Sequence, residues 1–186
     1  MKGFFQFIWE ILRMVLVALL IVVPIRYFLF QPFFVKGQSM EPTFQNSDYL
    51  IVDEISYKFR APGRGEVVVF KYPNDVTQRF IKRIIGLPQE TVEIKDGKVV
   101  IYPTNGSKFV LNEKAYFPGG IYTSGDMKVT LGKDEYFVLG DNRSASYDSR
   151  RFGILPKSDI IGRVVLRAWP FASVSAFGAP AYNKAD

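Results

Sequence analysis

The N-terminal apolar run constrains this chain most. From Met14 to Ile25 it reads MVLVALLIVVPI, without a charge. Phe4–Trp9 on one side and Tyr27–Phe34 on the other extend the run, interrupted by Glu10, Arg13 and Arg26. The total suffices for the roughly 20 helical residues that a bilayer requires. Arg13 and Arg26 would lie toward opposite ends, where long basic side chains reach the headgroups, and Trp9 and Tyr27 suit interfacial depth. A cleaved leader is the competing reading, but it needs small residues after the apolar core. Here Pro24, Ile25, Arg26, Tyr27, Phe28, Leu29 and Phe30 are bulky. The expectation is an uncleaved single-pass anchor with its N-terminus inside, where Lys2 and Arg13 carry positive charge.

Beyond the anchor the pattern changes to β. Tyr49–Ile55, Glu66–Tyr72, Arg79–Ile85, Thr91–Lys95, Lys98–Tyr102, Phe109–Leu111, Lys128–Leu131, Tyr136–Leu139 and Ile161–Ala168 are rich in β-branched and aromatic residues. Asp96-Gly97 between two short strands signals a two-residue type I′ hairpin. Arg60–Gly65, Pro103–Gly106 and Pro118–Gly125 read as loops, and a short helix is expected near Pro156-Lys157-Ser158. The predicted class is mainly β: one transmembrane helix followed by a membrane-tethered antiparallel β domain. The expected division is an anchor and membrane-proximal segment over 1–34, a β domain over 35–176, and a loose tail over 177–186.

Two absences narrow the chemistry. Without cysteine there is no disulfide or thiolate chemistry, and without histidine there is neither a Ser-His-Asp triad nor a His- or Cys-ligated zinc site. No metal or cofactor is expected. A serine nucleophile would have to take Lys, a carboxylate or the N-terminal amine as its base. The net charge of +6 suits a surface facing anionic lipid or cell wall. The basic residues are scattered and match no nucleic-acid-binding motif, so nucleic acid is not an expected partner.

Three polar stretches could carry chemistry. Just past the anchor, Val35-Lys36-Gly37-Gln38-Ser39-Met40-Glu41-Pro42-Thr43-Phe44 holds a serine between a glycine and a proline. Such a loop can present a nucleophile, and equally an ordinary turn serine. In Arg79-Phe80-Ile81-Lys82-Arg83-Ile84-Ile85, strand alternation puts Phe80, Lys82 and Ile84 on one face. Apolar neighbours there would lower an ammonium pKa toward the working range of a base. An exposed lysine on a basic strand fits the same pattern. Gly140–Gly153 is the densest polar run, with Asp141/Arg143 and Asp148/Arg150 spaced as pairs that could stiffen a loop bearing Ser144, Ser146 and Ser149.

Together these stretches resemble type I signal peptidases, membrane-bound serine proteases with a Ser-Lys dyad. Gly37–Thr43 is similar to the family's nucleophile box, Arg79–Pro88 to the box bearing its general base, and Gly140–Gly153 to the supporting box. Arg64-Gly65-Glu66-Val67-Val68-Val69-Phe70 is similar to the substrate-side strand. The order is the family's, and the short form with one anchor resembles the Gram-positive members. The resemblance implies that Ser39 is the nucleophile and Lys82 the base, with Ser146 hydrogen-bonding and orienting the lysine amine. It implies that Asp148 with Arg150, and Asp141 with Arg143, shape the site without proton chemistry. Val67, Val69 and Ile84 are expected pocket walls. The implied substrates are pre-protein signal peptides, cleaved after small residues at −3 and −1, at the outer face of the cell membrane beside the secretion translocon.

Two positions depart from the family pattern. Gly37 stands where some relatives carry a serine that donates to the oxyanion, leaving backbone N–H groups, that of Ser39 and that of Gly37, to supply the hole. After Pro88 the chain has Gln89-Glu90 in place of Gly-Asp. Other readings stay open: a specialised or non-catalytic relative in pilus or conjugation assembly, a self-cleaving repressor-type regulator, or a tethered scaffold.

Overall fold

In the computed structural model, residues 2–28, 30–114, 116–117 and 119–180 are described. Helix α1, Lys2–Phe28, runs for 27 residues, about 40 Å at 1.5 Å per residue. Its stretch Gly3–Leu20 is long and apolar enough to cross a membrane and is not buried against the rest of the chain. Side chains such as Phe5, Trp9 and Leu20 stand outward.

The β part confirms the expected class. The strands are β1 Phe30–Phe34, β2 Tyr49–Asp53, β3 Val67–Tyr72, β4 Asp75–Gly86, β5 Thr91–Lys95, β6 Lys98–Tyr102, β7 Phe109–Val110, β8 Met127–Thr130, β9 Glu135–Leu139, β10 Leu155–Pro156, β11 Ile160–Trp169 and β12 Ser175–Ala176. Among the described residues the large sheet has the order β1-β2-β11-β3-β4-β9-β10, with β12 on β11, and the small sheet the order β7-β6-β5-β8. Every pairing is antiparallel. Asp96 (φ 50°) and Gly97 (φ 75°) join β5 to β6. Positive φ at both positions is the type I′ geometry.

Alternation along β3 explains the core. Val67 and Val69 point into a cluster with Val35, Met40, Phe44, Leu50, Val52 and Val164. Val68 and Phe70 point the other way, among Ile84, Tyr136, Val138 and Leu155. A strand covered on both faces reads as an unbroken apolar run. A third cluster, including Ile85, Val92, Ile101 and Phe137, joins the two sheets.

Some local expectations change. Near Pro156 there is a single 3₁₀ turn, Lys157–Asp159, in place of a helix. Two four-residue helices appear instead, α2 Ser56–Phe59 and α3 Ser149–Phe152. Asp148 caps α3, accepting from the Arg150 N–H, whereas α2 begins at Ile55 without a side-chain cap, and Asp53 just before it accepts from the Ile55 and Ser56 N–H groups. Such side-chain bonds to backbone N–H groups nucleate turns too short to show helical periodicity. The segment from residue 177, expected to be loose, begins with a docked residue. The Phe177 ring packs at a tilt against Phe44, centroids 4.5 Å apart, and its N–H donates to Val165 O. Residues 181–186 lie outside the described residues.

Candidate active site

The stretch after β1 is tied down before it reaches Ser39. The Val35 N–H donates to Asp48 O, and the Ser47 N–H to Val35 O. Gly37 has φ +87°, a left-handed conformation that glycine accepts without strain. Past Ser39, Met40 and Phe44 are buried in the core and are joined by a Phe44 N–H to Met40 O bond. The serine is therefore held from both sides.

Strand β4 delivers Lys82, only 4% exposed. Its Nζ lies 2.8 Å from Ser39 Oγ and 2.8 Å from Ile81 O, with the Phe80 ring centroid 5.5 Å away. Burial drives the Lys82 pKa down to about 8, against a smaller upward pull from the carboxylates of Asp148 and Asp141. A lysine of this kind is substantially neutral at mildly alkaline pH, and neutral amines accept protons.

The loop after β9 packs onto both groups. The Asn142 N–H donates to Ser39 O at 3.0 Å. Asp148, fully buried, accepts from the Gly140 N–H at 3.0 Å and forms a two-point pair with Arg150, Nε at 2.9 Å and Nη2 at 2.8 Å. Burial alone would raise the Asp148 carboxyl, but the Arg150 guanidinium and the Gly140 N–H outweigh it and hold the group below the usual aspartate value.

Asp141 and Arg143 do not form the expected local pair. The Asp141 carboxylate takes Nε and Nη2 of Arg83, at 2.9 and 2.6 Å, and accepts from the Thr43 hydroxyl at 2.5 Å. Arg143 pairs with Glu113 and donates to Thr123 Oγ1 and Gly140 O. The Asp141 and Arg143 side chains diverge, and each reaches a partner far along the chain. The Asp141 network consequently joins the serine loop, the lysine strand and the supporting loop.

Two further expectations are corrected. Ser146 does not hydrogen-bond Lys82. Its hydroxyl is buried beside the Asp148 carboxylate, which it helps to hold below the usual aspartate value, and lies against Gly140, where an added Cβ would come within 2.2 Å of it. The Gly37 N–H is not open to an oxyanion, because it donates to Asn46 Oδ1 at 2.9 Å. The turn after Pro88 is closed by the departing residue itself: the Glu90 carboxylate accepts from the Leu87 N–H and pairs with Arg64.

A groove of about 430 Å³ opens beside Ser39 and Lys82. Phe34, Lys36, Arg79, Ile81, Val69 and Tyr147 are among the residues that line it. Of the three expected pocket walls, Val69 lines this groove, while Val67 and Ile84 sit in core clusters on opposite faces of the large sheet. Sequence reasoning passed over Thr43, Arg83, Glu113 and Asn46. Their partners are long-range or conformational, and no spacing signal marks them. Lys36, Arg79 and Tyr147 stand inside the three polar stretches, where nothing in their spacing marks them as lining a groove.

The model of the signal peptidase family, peptidase S26, matches residues 8–169. A probable signal peptidase I-2 from Synechocystis sp. is 39% identical over 171 residues, 89% of this chain and 75% of that protein. A signal peptidase I from Leptolyngbya laminosa is 40% identical over 164 residues, 84% of this chain and 77% of that protein. The crystal structure of a signal peptidase I from Enterococcus faecalis is 32% identical, with 56% of this chain and 97% of that chain covered and a TM-score of 0.45. With most of its length matched by the family model, the chain belongs to the signal peptidase family, peptidase S26, and is a serine peptidase, a hydrolase of peptide bonds.

Proposed function

We propose that this chain is a membrane-bound endopeptidase that removes signal peptides from exported pre-proteins, with Ser39 as nucleophile and Lys82 as general base. The observation that carries the reading is the 2.8 Å approach of Lys82 Nζ to Ser39 Oγ at the groove, with a lysine pKa near 8. In the neutral state Nζ takes the hydroxyl proton as Oγ attacks the scissile carbonyl. The Ser39 N–H, unengaged by the described residues, stabilises the oxyanion. The resulting ammonium protonates the leaving amine, which leaves an acyl-enzyme. Lys82, neutral again, then takes a proton from the water that hydrolyses the ester. Asp148 with Arg150, and Asp141 with Arg83, hold the loops in register.

Substrate binding follows from the sheet. β1, β2, β11, β3 and β4 are antiparallel in succession, so β1 and β4 run parallel to each other. An extended peptide fits between the segment after β1 and residues 79–82 of β4, adding as a strand. Val69, Ile81 and Leu50 line the groove and suit small side chains at −1 and −3.

The anchor over 1–34 keeps the N-terminus in the cytoplasm and the catalytic domain, 35–176, on the outer side. There the substrate's signal helix shares the same lipid bilayer beside the translocon. The test is cleavage of a model pre-protein by the full chain in detergent, with the product N-terminus sequenced. Wild type releases the mature protein after a small residue, whereas Ser39→Ala and Lys82→Ala release none. Undiminished cleavage by either variant refutes the assignment.

A further inference from the structure

The rings beside Lys82 form a cluster that the proton transfer itself does not use. On one face of the β3–β4 pair, Phe70 lies opposite Phe80 and Val68 opposite Lys82. The Phe80 centroid stands 5.5 Å from Lys82 Nζ, and both side chains line the groove. Tyr72 stacks on Phe80 with centroids 4.8 Å apart, and the buried Phe70 meets it edge-on at 6.2 Å. From the supporting loop, Tyr147 meets Phe80 and Tyr72 edge-on at 6.5 and 6.0 Å, and it tilts against Phe152 at 6.1 Å. Its hydroxyl lies 3.3 Å from that of Tyr72. Tyr147 also lines the groove, and in the chain it stands between Ser146 and Asp148, which are both buried.

Charges around Lys82 act independently of these rings. Burial opposes the ammonium form, and the carboxylates of Asp148 and Asp141 pull the other way. Each carboxylate is itself answered by a guanidinium, Asp148 by Arg150 and Asp141 by Arg83. The Ser39 hydroxyl meets Nζ from the serine loop, and Lys36 and Arg79 line the groove from exposed positions. Arg151, also exposed, stands over the Tyr147 ring. The rings contribute apolar bulk. A ring face attracts an ammonium, yet burial prevails at this amine. We infer that Tyr147 is a positioning residue whose ring holds Phe80 and the segment 146–148 closed over Lys82, keeping water from the reacting amine. This rests on the proposed peptidase function and adds to it a residue that governs the state of the base.

The test follows kcat/KM against pH for the full chain in detergent on a model pre-protein, comparing wild type, Tyr147→Phe and Tyr147→Ala. Tyr147 is 43% exposed and belongs to none of the three buried clusters, so its truncation leaves the core untouched. Water reaching Nζ restores the ammonium. The rise with pH in Tyr147→Ala should therefore move up by about half to one pH unit, a loss of about three- to tenfold at pH 7 that vanishes above the shifted midpoint. Tyr147→Phe keeps the ring and should match wild type. Competitive acetylation by acetic anhydride, read on the Lys82 peptide by mass spectrometry, should report the same shift without any cleavage. An unmoved midpoint in Tyr147→Ala, whatever its rate, overturns the inference, and so does a Tyr147→Phe variant shifted as far. If wild type fails to cleave the pre-protein, the peptidase reading falls, while the acetylation midpoints still decide whether Tyr147 shields the amine.

Discussion

Replacing Lys82 by Met should abolish activity and make the protein more stable at pH 7. An unfolded lysine titrates near 10.5, and burial brings Lys82 to about 8. At pH 7 the native state therefore holds a proton in a place that disfavours it, at a cost of about 3 kcal/mol, taking about 1.4 kcal/mol per factor of ten. Methionine fills similar space without the charge. It forfeits the bonds from Nζ to Ser39 Oγ and Ile81 O, of which the second leaves a buried carbonyl worth about 1 kcal/mol. The expected net gain is about 2 kcal/mol.

The pH dependence gives the sharper signature. Between about 8 and 10.5 the unfolded lysine holds a proton that the native one has lost. Stability of the wild type must therefore rise with pH across that window, and the penalty is gone above it. The Met variant lacks this contribution, so its advantage at pH 7 should shrink through pH 8–10.5 and turn into a small deficit. Urea unfolding of the full chain in detergent, followed by the fluorescence of Trp169 in a Trp9→Phe background, measures both. A Met variant less stable than wild type at pH 7, or a stability difference that stays constant from pH 7 to 10.5, refutes the claim that burial governs this lysine.

Cleavage rates should rise with pH through about 8 as Lys82 loses its proton, measured as kcat/KM on a model pre-protein, and a profile flat from pH 6 to 9 would contradict a lysine base. Gly140→Ala should cost at least tenfold in activity and about 1–3 kcal/mol in stability. Its Cβ would lie 2.2 Å from Ser146 Oγ and 2.5 Å from Ser39 O, and the second of these is backbone that cannot swing away. Assay and thermal melting of that variant together check it. Glu113→Ala, by leaving the buried Arg143 guanidinium without its carboxylate, should destabilise by about 3–5 kcal/mol, read from the urea midpoint.

Much of the architecture was legible in the residue order because its signals are local. Strand alternation located β5 and β6 to the residue, and Asp96-Gly97 named the turn between them. The apolar run announced α1. Short turns such as α2 and α3 escaped, since four residues are too few to show a periodicity. The loose tail was misjudged at Phe177 for a different reason: an aromatic in an Ala-Gly-Pro context gives no hint that a pocket beside Phe44 awaits it.

The site divides along the same line. Absence of histidine and cysteine limited a serine's base, which needs only composition, while Ser39 and Lys82 were singled out by the resemblance of their stretches to the boxes of a known family. Which carboxylate meets which guanidinium was decided by tertiary structure alone. Asp141 turns to Arg83 and Arg143 to Glu113, because side-chain direction on an irregular loop depends on what the rest of the chain packs against it. The approach of Lys82 Nζ to Ser39 Oγ and the bond from the Asn142 N–H to Ser39 O belong to the same category. Each is a relation between segments far apart in sequence, and only the folded sheet gives it a distance.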